Sequence, residues 1–231
     1  MNIALIGYGK MGKAIESIAL ERGHFVVVRV GREGIDAHRE AIEKADVAIE
    51  FTAPSNALDN VVSLLQWGVP IVSGTTGWND RLKEAEEVCV AHKGRLVVGS
   101  NFSVGVQLFF KLNAALAGWM RAFSGYSASI HEVHHTAKKD APSGTAITLR
   151  DGMSKENSAL QSVEISHERI DPTPGTHTVR WDSTEDTLLL EHQAHGRMGF
   201  AVGAVVCAER LVASKSGVYN VAELLFEKVP M

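Results

Sequence analysis

The sequence predicts an α/β fold: a doubly wound parallel sheet at the N-terminus, followed by an α+β segment on a mostly antiparallel sheet. Three observations predict it. Short apolar runs alternate with helix-spaced amphipathic runs over the first hundred or so residues. Loops rich in Gly, Thr and Asn recur at the ends of those apolar runs, at Gly7–Gly12, Thr52–Pro54, Gly74–Gly77 and Gly99–Phe102. From Tyr126 onward the pattern changes to alternating segments separated by turn residues.

Asn2–Ile6 is a short apolar run of the kind a buried parallel strand needs. Gly7-Tyr8-Gly9-Lys10-Met11-Gly12 follows at once, and a helical pattern runs from Met11 to Arg22 before Gly23 stops it. Strand, G-x-G-x-x-G and helix in that order is the setting in which this motif binds a dinucleotide. Gly7 makes the turn, Gly9 admits the pyrophosphate, and Gly12 lets helix and strand pack closely. The bland alternative is a tight structural turn. Phe25–Val30 is the second strand, where an acid at the end commonly holds the ribose hydroxyls. Here the chain reads Gly31-Arg32-Glu33. Arg32 is either a solvated charge or a partner for a 2′-phosphate or adenine, which favours NADPH and leaves NADH open.

Further strands are expected at Asp46–Phe51, Val69–Ser73 and Arg95–Val98, with helices at Ser55–Trp67 and Asn79–His92 between them. Val104–Arg121 reads as a long helix leading out of the sheet. Ser127–Val133, Val163–Arg169, Thr176–Trp181, Asp186–His192 and Phe200–Ala208 read as strands, with a helix near Ala146–Met153 and a closing helix at Gly217–Lys228. Asp171-Pro172-Thr173-Pro174-Gly175 is a loop by its composition.

The densest chemistry lies between Ser129 and Ala146, S-I-H-E-V-H-H-T-A-K-K-D-A-P-S-G-T-A. It reads as strand, basic loop, then helix start, with Pro142 suited to a first turn. A basic loop that ends at a helix start receives anions. The N–H groups of Ser143, Gly144 and Thr145 are expected to point outward, and the helix dipole adds positive potential. His134, His135 and Lys138 bring groups that carry or pass protons. A small carboxylate substrate suits such a site. The competing reading is plain capping by Ser143 or Asp140. His131-Glu132-Val133-His134-His135 also matches the zinc-protease pattern H-E-x-x-H. That chemistry needs a helix, whereas on a strand His131 and His135 lie roughly 13 Å apart, at about 3.3 Å per residue. No metal is expected.

With 231 residues, 45% of them hydrophobic, the chain forms one large domain or two small ones. A net charge of −4 argues against a nucleic-acid surface. Cys89 and Cys207 stand far apart and suggest reduced, buried thiols. No apolar run reaches membrane-spanning length, and Met1 leads directly into a strand, so a cytoplasmic protein without membrane or nucleic-acid partners is expected.

Nearly the whole chain resembles the 4-hydroxy-tetrahydrodipicolinate reductase (dihydrodipicolinate reductase) family. The most specific piece is E-x-H-H-x-x-K-x-D-A-P-S-G-T-A at Glu132–Ala146. Gly7–Lys13, Gly74–Gly77, Asn101–Gly105, Pro174–Thr178 and the His192, His195, Arg197, Phe200, Ala201 series also resemble its signatures. The resemblance implies a Rossmann domain from residues 1–104 and 198–231, with an inserted domain, 105–197, that binds substrate and assembles a homotetramer. It implies that NADPH or NADH gives a hydride to C4 of a small cyclic dicarboxylate, with loss of the 4-hydroxyl as water, in diaminopimelate and lysine synthesis. His134 and Lys138 match the proton-donating pair, and His135, Ser143, Gly144 and Thr145 match the binders of substrate carboxylate. Gly7, Tyr8, Gly9, Lys10, Met11, Gly12, Gly74, Thr75, Thr76, Gly99, Ser100, Asn101 and Phe102 match the cofactor contacts. Two departures stand out: the usual acid after the second strand is missing, and the region from Gly34 to Asp46 is short. The proton-handling run is expected to face the cofactor cleft across a hinge. The alternative functions are another Rossmann imine or amino-acid dehydrogenase and an NAD(H)-sensing protein without chemistry.

Overall fold

The computed structural model describes residues 1–226 of the chain. They divide into two compact units, one from Met1–Val104 with the segment that begins at Arg197, the other Gly105–Gly196.

In the first unit the order is β1 (Asn2–Ile6), α1 (Lys10–Glu21), β2 (Phe25–Val30), α2 (Arg39–Ile42), β3 (Val47–Glu50), α3 (Pro54–Gln66), β4 (Ile71–Ser73), α4 (Leu82–Ala91) and β5 (Arg95–Val98). The long helix α5 (Val104–Met120) leads from it into the second unit. The second unit continues with β6 (Ser127–His134), α6 (Gly144–Glu156), β7 (Glu164–Arg169), β8 (Thr176–Asp182) and β9 (Thr187–Gln193). The chain then returns to the first unit with α7 (Met198–Ala213), β10 (Gly217–Tyr219) and α8 (Val221–Phe226).

The first unit is a six-stranded parallel sheet in the order β10-β5-β4-β3-β1-β2. Because successive side chains of a strand point to opposite faces, the apolar runs supply two cores at once. Ile3, Leu5, Val47, Ile49, Val72 and Val97 face α1, α7 and α8. Ala4, Ile6, Ala48, Ile71 and Leu96 face α2, α3 and α4. The strand order reverses between β1 and β3, which opens a crevice beyond their carboxyl ends.

The second unit is a four-stranded sheet, β7-β6-β8-β9, with β6/β7 parallel and the other pairs antiparallel. Phe109, Ala117, Met120, Leu149 and Met153 of its helices pack with Ile130, Val179 and Trp181 of the strands. Asn113, fully buried on α5, donates to the Leu149 carbonyl at 2.9 Å and ties the two helices together.

Two expectations change. Phe200–Ala208 is not a strand but the middle of α7. A nine-residue apolar run carries no period that separates a buried strand from a buried helix. The helix shows itself only over its full length, where Ala201, Ala204, Val205, Ala208 and Leu211 recur with helical spacing on the buried face. Gly217–Lys228 is not one helix: β10 pairs with β5 through Gly217–Tyr219, and α8 follows, with residues 227–228 outside the described residues. The short region after Gly34 contains a 3₁₀ turn at Asp36–His38 and the short α2, held by Ile35 and Ile42 in the core.

Gly203 of α7 shows how tightly this face is built. A Cβ there would lie 1.6 Å from the Phe102 carbonyl oxygen. Gly203→Ala is therefore expected to lower stability by about 3 kcal/mol through overpacking, measured by chemical denaturation. A Cβ on Gly152 of α6 would meet nothing within 4 Å, so Gly152→Ala is expected to raise stability by about 0.5–1 kcal/mol in the same measurement.

Candidate functional site

The first unit carries a cavity of about 470 Å³ at the strand-order reversal, lined by Gly7, Tyr8, Gly9, Arg32, Thr52 and Asn60 among others. Its floor is made by close backbone approach. Gly7 has φ +93°, and a Cβ there would stand 2.1 Å from the Phe51 carbonyl oxygen, so only glycine fits. A Cβ on Gly12 would stand 2.3 Å from the Gly7 oxygen. Gly9 has open space around its Cα and caps α1 without any side-chain acceptor. The N–H groups of Lys10, Met11 and Gly12 therefore start the helix without intrahelical acceptors, with the positive end of the dipole behind them. A helix start of this kind suits an anion such as a pyrophosphate. Lys10 is exposed and Met11 half-buried beside it.

At the end of β2, Glu33 folds back. Its carboxylate accepts from the Gly31 N–H at 2.7 Å and pairs with His38 at 3.1 Å. That backbone bond holds the Glu33 carboxyl below its ordinary value. Arg32, which lines the cavity, is exposed.

Glu50 ends β3 with no exposed surface. One oxygen accepts from the Thr52 N–H at 3.0 Å and the Thr75 hydroxyl at 2.7 Å; the other accepts from the Ser73 hydroxyl at 2.6 Å. The Thr75 hydroxyl also accepts from the Thr52 N–H at 2.7 Å. The buried carboxylate thus staples the loop after β3 to the loop after β4. Thr75 is committed to this staple. Gly74 is needed because a Cβ would run into the Phe51 ring at 2.1 Å. Thr76 and Ser100 face outward, and Asn101 accepts from the Ser103 N–H at 2.9 Å. A Cβ on Gly99 would lie 2.3 Å from Val221. The Phe102 ring is buried, 5.9 Å from that of Phe51, so it supports the loop from the core.

The second unit gathers its polar chemistry at the end of β6. Pairing with β7 and β8 keeps His131–His134 extended, so H-E-x-x-H is not on a helix. Glu132 and His134 share the inward face by the two-residue alternation. Glu132, again with no exposed surface, accepts from the Ser143 N–H at 3.0 and 3.2 Å and from Arg169 at 3.1 Å. Its second oxygen lies 3.7 Å from His134 Nδ1 and 3.5 Å from His177 Nε2. The two imidazoles meet edge to face at 4.9 Å, and the Ser143 hydroxyl stands 3.2 Å from His177 Nε2.

Burial pushes Glu132 toward protonation, but the Ser143 and Arg169 hydrogen bonds and the adjacent His134 outweigh it, leaving its carboxyl below the ordinary range. Burial pushes His134 down against the pull of Glu132, and pushes His177 down to about 4. Both imidazoles are thus neutral at neutral pH. Lys138 pairs with Asp140, at 2.8 Å to each carboxylate oxygen, and that ammonium holds the Asp140 carboxyl low. His135 follows β6 directly, half-buried.

The donor set Glu132, His134 and His177 has the size of a metal site, its ligand atoms lying within 4.8 Å of one another. Charge argues against that use. Arg169 already neutralises Glu132, and a divalent ion would sit beside a fixed guanidinium.

One expectation about the anion turn is corrected. The Ser143 N–H does not point outward: it is buried and bound by Glu132, and the Ser143 hydroxyl caps α6 by accepting from Ala146 at 3.2 Å. The free helix-start donors are the N–H groups of Gly144, which is exposed, and Thr145. Arg169 and His177 carry no role in the sequence reading. For His177 the signal was weak but present: it is the polar residue at an inward position of alternating β8, opposite Glu132.

A glycine-cradled helix start beside a crevice, with a separate cluster of neutral imidazoles and an ammonium, defines an NAD(P)H-dependent oxidoreductase. Comparisons with known proteins give the family. The profile described as "Dihydrodipicolinate reductase, N-terminus" matches residues 1–102, and "Dihydrodipicolinate reductase, C-terminus" matches 105–225. The chain is 41% identical over 235 residues to the 4-hydroxy-tetrahydrodipicolinate reductase of Christiangramia forsetii, covering 97% of this chain and 98% of that one. It is 33% identical to that of Bdellovibrio bacteriovorus, covering 99% and 97%. Its fold is similar to a dipicolinate-bound dihydrodipicolinate reductase from Paenisporosarcina sp. TG-14, with TM-score 0.84 at 19% identity over 98% of this chain and 99% of that one. The chain belongs to the dihydrodipicolinate reductase family.

The buried imidazole gives a pH prediction. His177 titrates near 6.5 when unfolded and near 4 when folded, so only the unfolded chain binds its proton between those values. Stability is complete above pH 6.5 and falls as pH drops toward 4. His177→Gln is expected to remove up to about 3 kcal/mol of that acid loss, measured by denaturant titration at pH 7 and pH 4.5.

Proposed function

We propose that this chain reduces 4-hydroxy-tetrahydrodipicolinate to tetrahydrodipicolinate with NAD(P)H and loss of water, in diaminopimelate and lysine synthesis. The observation that carries the reading is the Glu132–Ala146 segment. It sets His134 and the start of α6 against one buried carboxylate, with Lys138 in the loop between them, within a chain that both halves of the family profile cover.

The first unit is the dinucleotide domain. Gly7–Gly12 and the start of α1 hold the pyrophosphate, and the loops Gly74–Thr76 and Gly99–Phe102 shape the rest of the cofactor site. Bound NAD(P)H supplies the hydride that ring C4 receives. Arg32 lines the cavity and, among the described residues, its guanidinium has no hydrogen-bond partner, while Glu33 is turned to Gly31 and His38. Arg32 therefore meets a 2′-phosphate, and NADPH is the preferred donor.

The second unit is the substrate domain. The N–H groups of Gly144 and Thr145, with His135, receive a ring carboxylate; Ser143 acts behind them as the cap. Hydride addition to a conjugated imine leaves an electron pair on the ring that must take up one proton per turnover. Lys138, held against Asp140 by an ion pair at 2.8 Å, is the donor. His134, neutral, accepts a hydrogen bond or relays the proton. The active form is a homotetramer of the cytoplasm, in keeping with buried, unpaired Cys89 and Cys207 and with the absence, among the described residues, of a helix able to cross a membrane.

The test is a steady-state assay with the synthase product as substrate and each cofactor in turn. Oxidation of NAD(P)H dependent on that substrate is expected, with kcat/KM higher for NADPH. A protein that binds cofactor but shows no turnover would reject the reading. His134→Gln and Lys138→Ala are each expected to lower kcat by about a hundredfold while the cofactor Kd changes less than about twofold.

A further inference from the structure

We propose that Arg169 is the positioning residue of the proton-donating loop, its guanidinium anchored on buried Glu132 and holding the backbone that carries Lys138. The inference rests on the reading above, which gives Lys138 its role. Three observations carry it.

The first is the set of acceptors. One guanidinium donates to the Glu132 carboxylate at 3.1 Å, to the Asp140 carbonyl at 2.6 Å, to the Lys138 carbonyl at 3.4 Å and to the Glu168 carbonyl at 2.8 Å. Lys138 and Asp140 also form the ion pair Nζ–Oδ2 at 2.8 Å. The same fork therefore fixes the backbone at both ends of that pair. The second is register. The parallel pairing of β6 with β7 sets Arg169 opposite His134, so the strand that ends in His134 and the strand that ends in the brace stop at one level. The Ile170 N–H then bonds the His134 carbonyl at 2.8 Å. The third is that the loop has no other regular support. Between His134 and Gly144 there is neither helix nor strand. Among the described residues its other ties are the Thr136 N–H and hydroxyl to Asp171, a local bond from the Lys138 N–H to the His135 carbonyl, and the Ser143 bonds to Glu132 and His177, so Arg169 alone holds the backbone at Lys138 and Asp140 from another element.

An ammonium on a four-carbon stem delivers a proton only where its root is fixed, and misplacement of about 1 Å costs up to a hundredfold in rate. A planar fork with several fixed donors can hold a carboxylate and two carbonyls at once; a lysine at the same place keeps the charge but not the geometry.

The test uses the intact protein as Arg169→Ala and Arg169→Lys. It measures kcat and KM for the dicarboxylate, calorimetric binding of pyridine-2,6-dicarboxylate, and NAD(P)H binding. In both variants kcat is expected to fall at least about tenfold, with NAD(P)H Kd within about twofold of the parent. Guanidinium added in millimolar amounts is expected to restore part of kcat in Arg169→Ala and none in His134→Gln. If Arg169→Ala melts below the assay temperature, Arg169→Lys, which keeps charge and stem, carries the comparison. A kcat within about twofold of the parent in a folded variant, or binding of pyridine-2,6-dicarboxylate lost with kcat unchanged, would overturn the brace. A parent protein that binds NAD(P)H but shows no turnover would instead sink the reductase reading, and with it the donor that the brace serves.

Discussion

A charged carboxylate with no access to water must find its whole solvation in the protein, and Glu132 does. Its oxygens accept from Ser143 and Arg169, and two imidazoles stand within 4 Å of it. The consequence is geometric. To satisfy Glu132, the chain must bring the start of α6, the end of β7 and the inward face of β8 to the end of β6. Those are the elements that carry the anion turn, the arginine and His177. Removing one partner from such a pair costs about 3–5 kcal/mol, because the other is left as an uncompensated buried charge.

The first unit uses a second buried acid differently. Among the described residues no cation stands against Glu50; its acceptor capacity is taken by Thr52, Ser73 and Thr75. Neutral donors suffice because the group ends a strand and the donors lie on the loops that follow β3 and β4. Both acids stand toward the carboxyl ends of inner strands, and in the parallel sheet of the first unit that is where an open α/β sheet places its ligand. In the first unit the acid shapes a cavity wall, and Phe51 and Phe102 back it from the core. In the second it sets a charge among imidazoles. Burial lowers both histidines, while the ammonium of Lys138 stays beside Asp140. The buried carboxylate therefore lies among imidazoles that burial keeps neutral at neutral pH.

Much of this was legible in the residues. The glycines at 7, 9 and 12 announce themselves because their reasons are local: positive φ, an open face, a Cβ clash within a few residues of the turn. The run from His134 to Thr145 was legible because its chemistry is packed into one stretch. α7 was not, since a buried helix and a buried strand look alike in a nine-residue apolar window. β10 was not, since a three-residue edge strand carries too few residues for a period. The direction of the Ser143 N–H was hidden for a different reason. Its acceptor lies eleven residues earlier on another element, and only the fold brings it there. Arg169 was hidden likewise, thirty-seven residues from Glu132 and in a strand that reads as solvated.

The central claim is that Glu132 is ionised in the interior. The most direct measurement is a pH titration of its side-chain carboxyl by 13C NMR, in protein labelled at glutamate and assigned with Glu132→Gln. The account predicts a resonance at the carboxylate position through neutral pH that moves only below the ordinary carboxyl range, in line with the direction its partners impose. A resonance that titrates above that range would show a neutral acid at the core of the cluster, and would contradict the account.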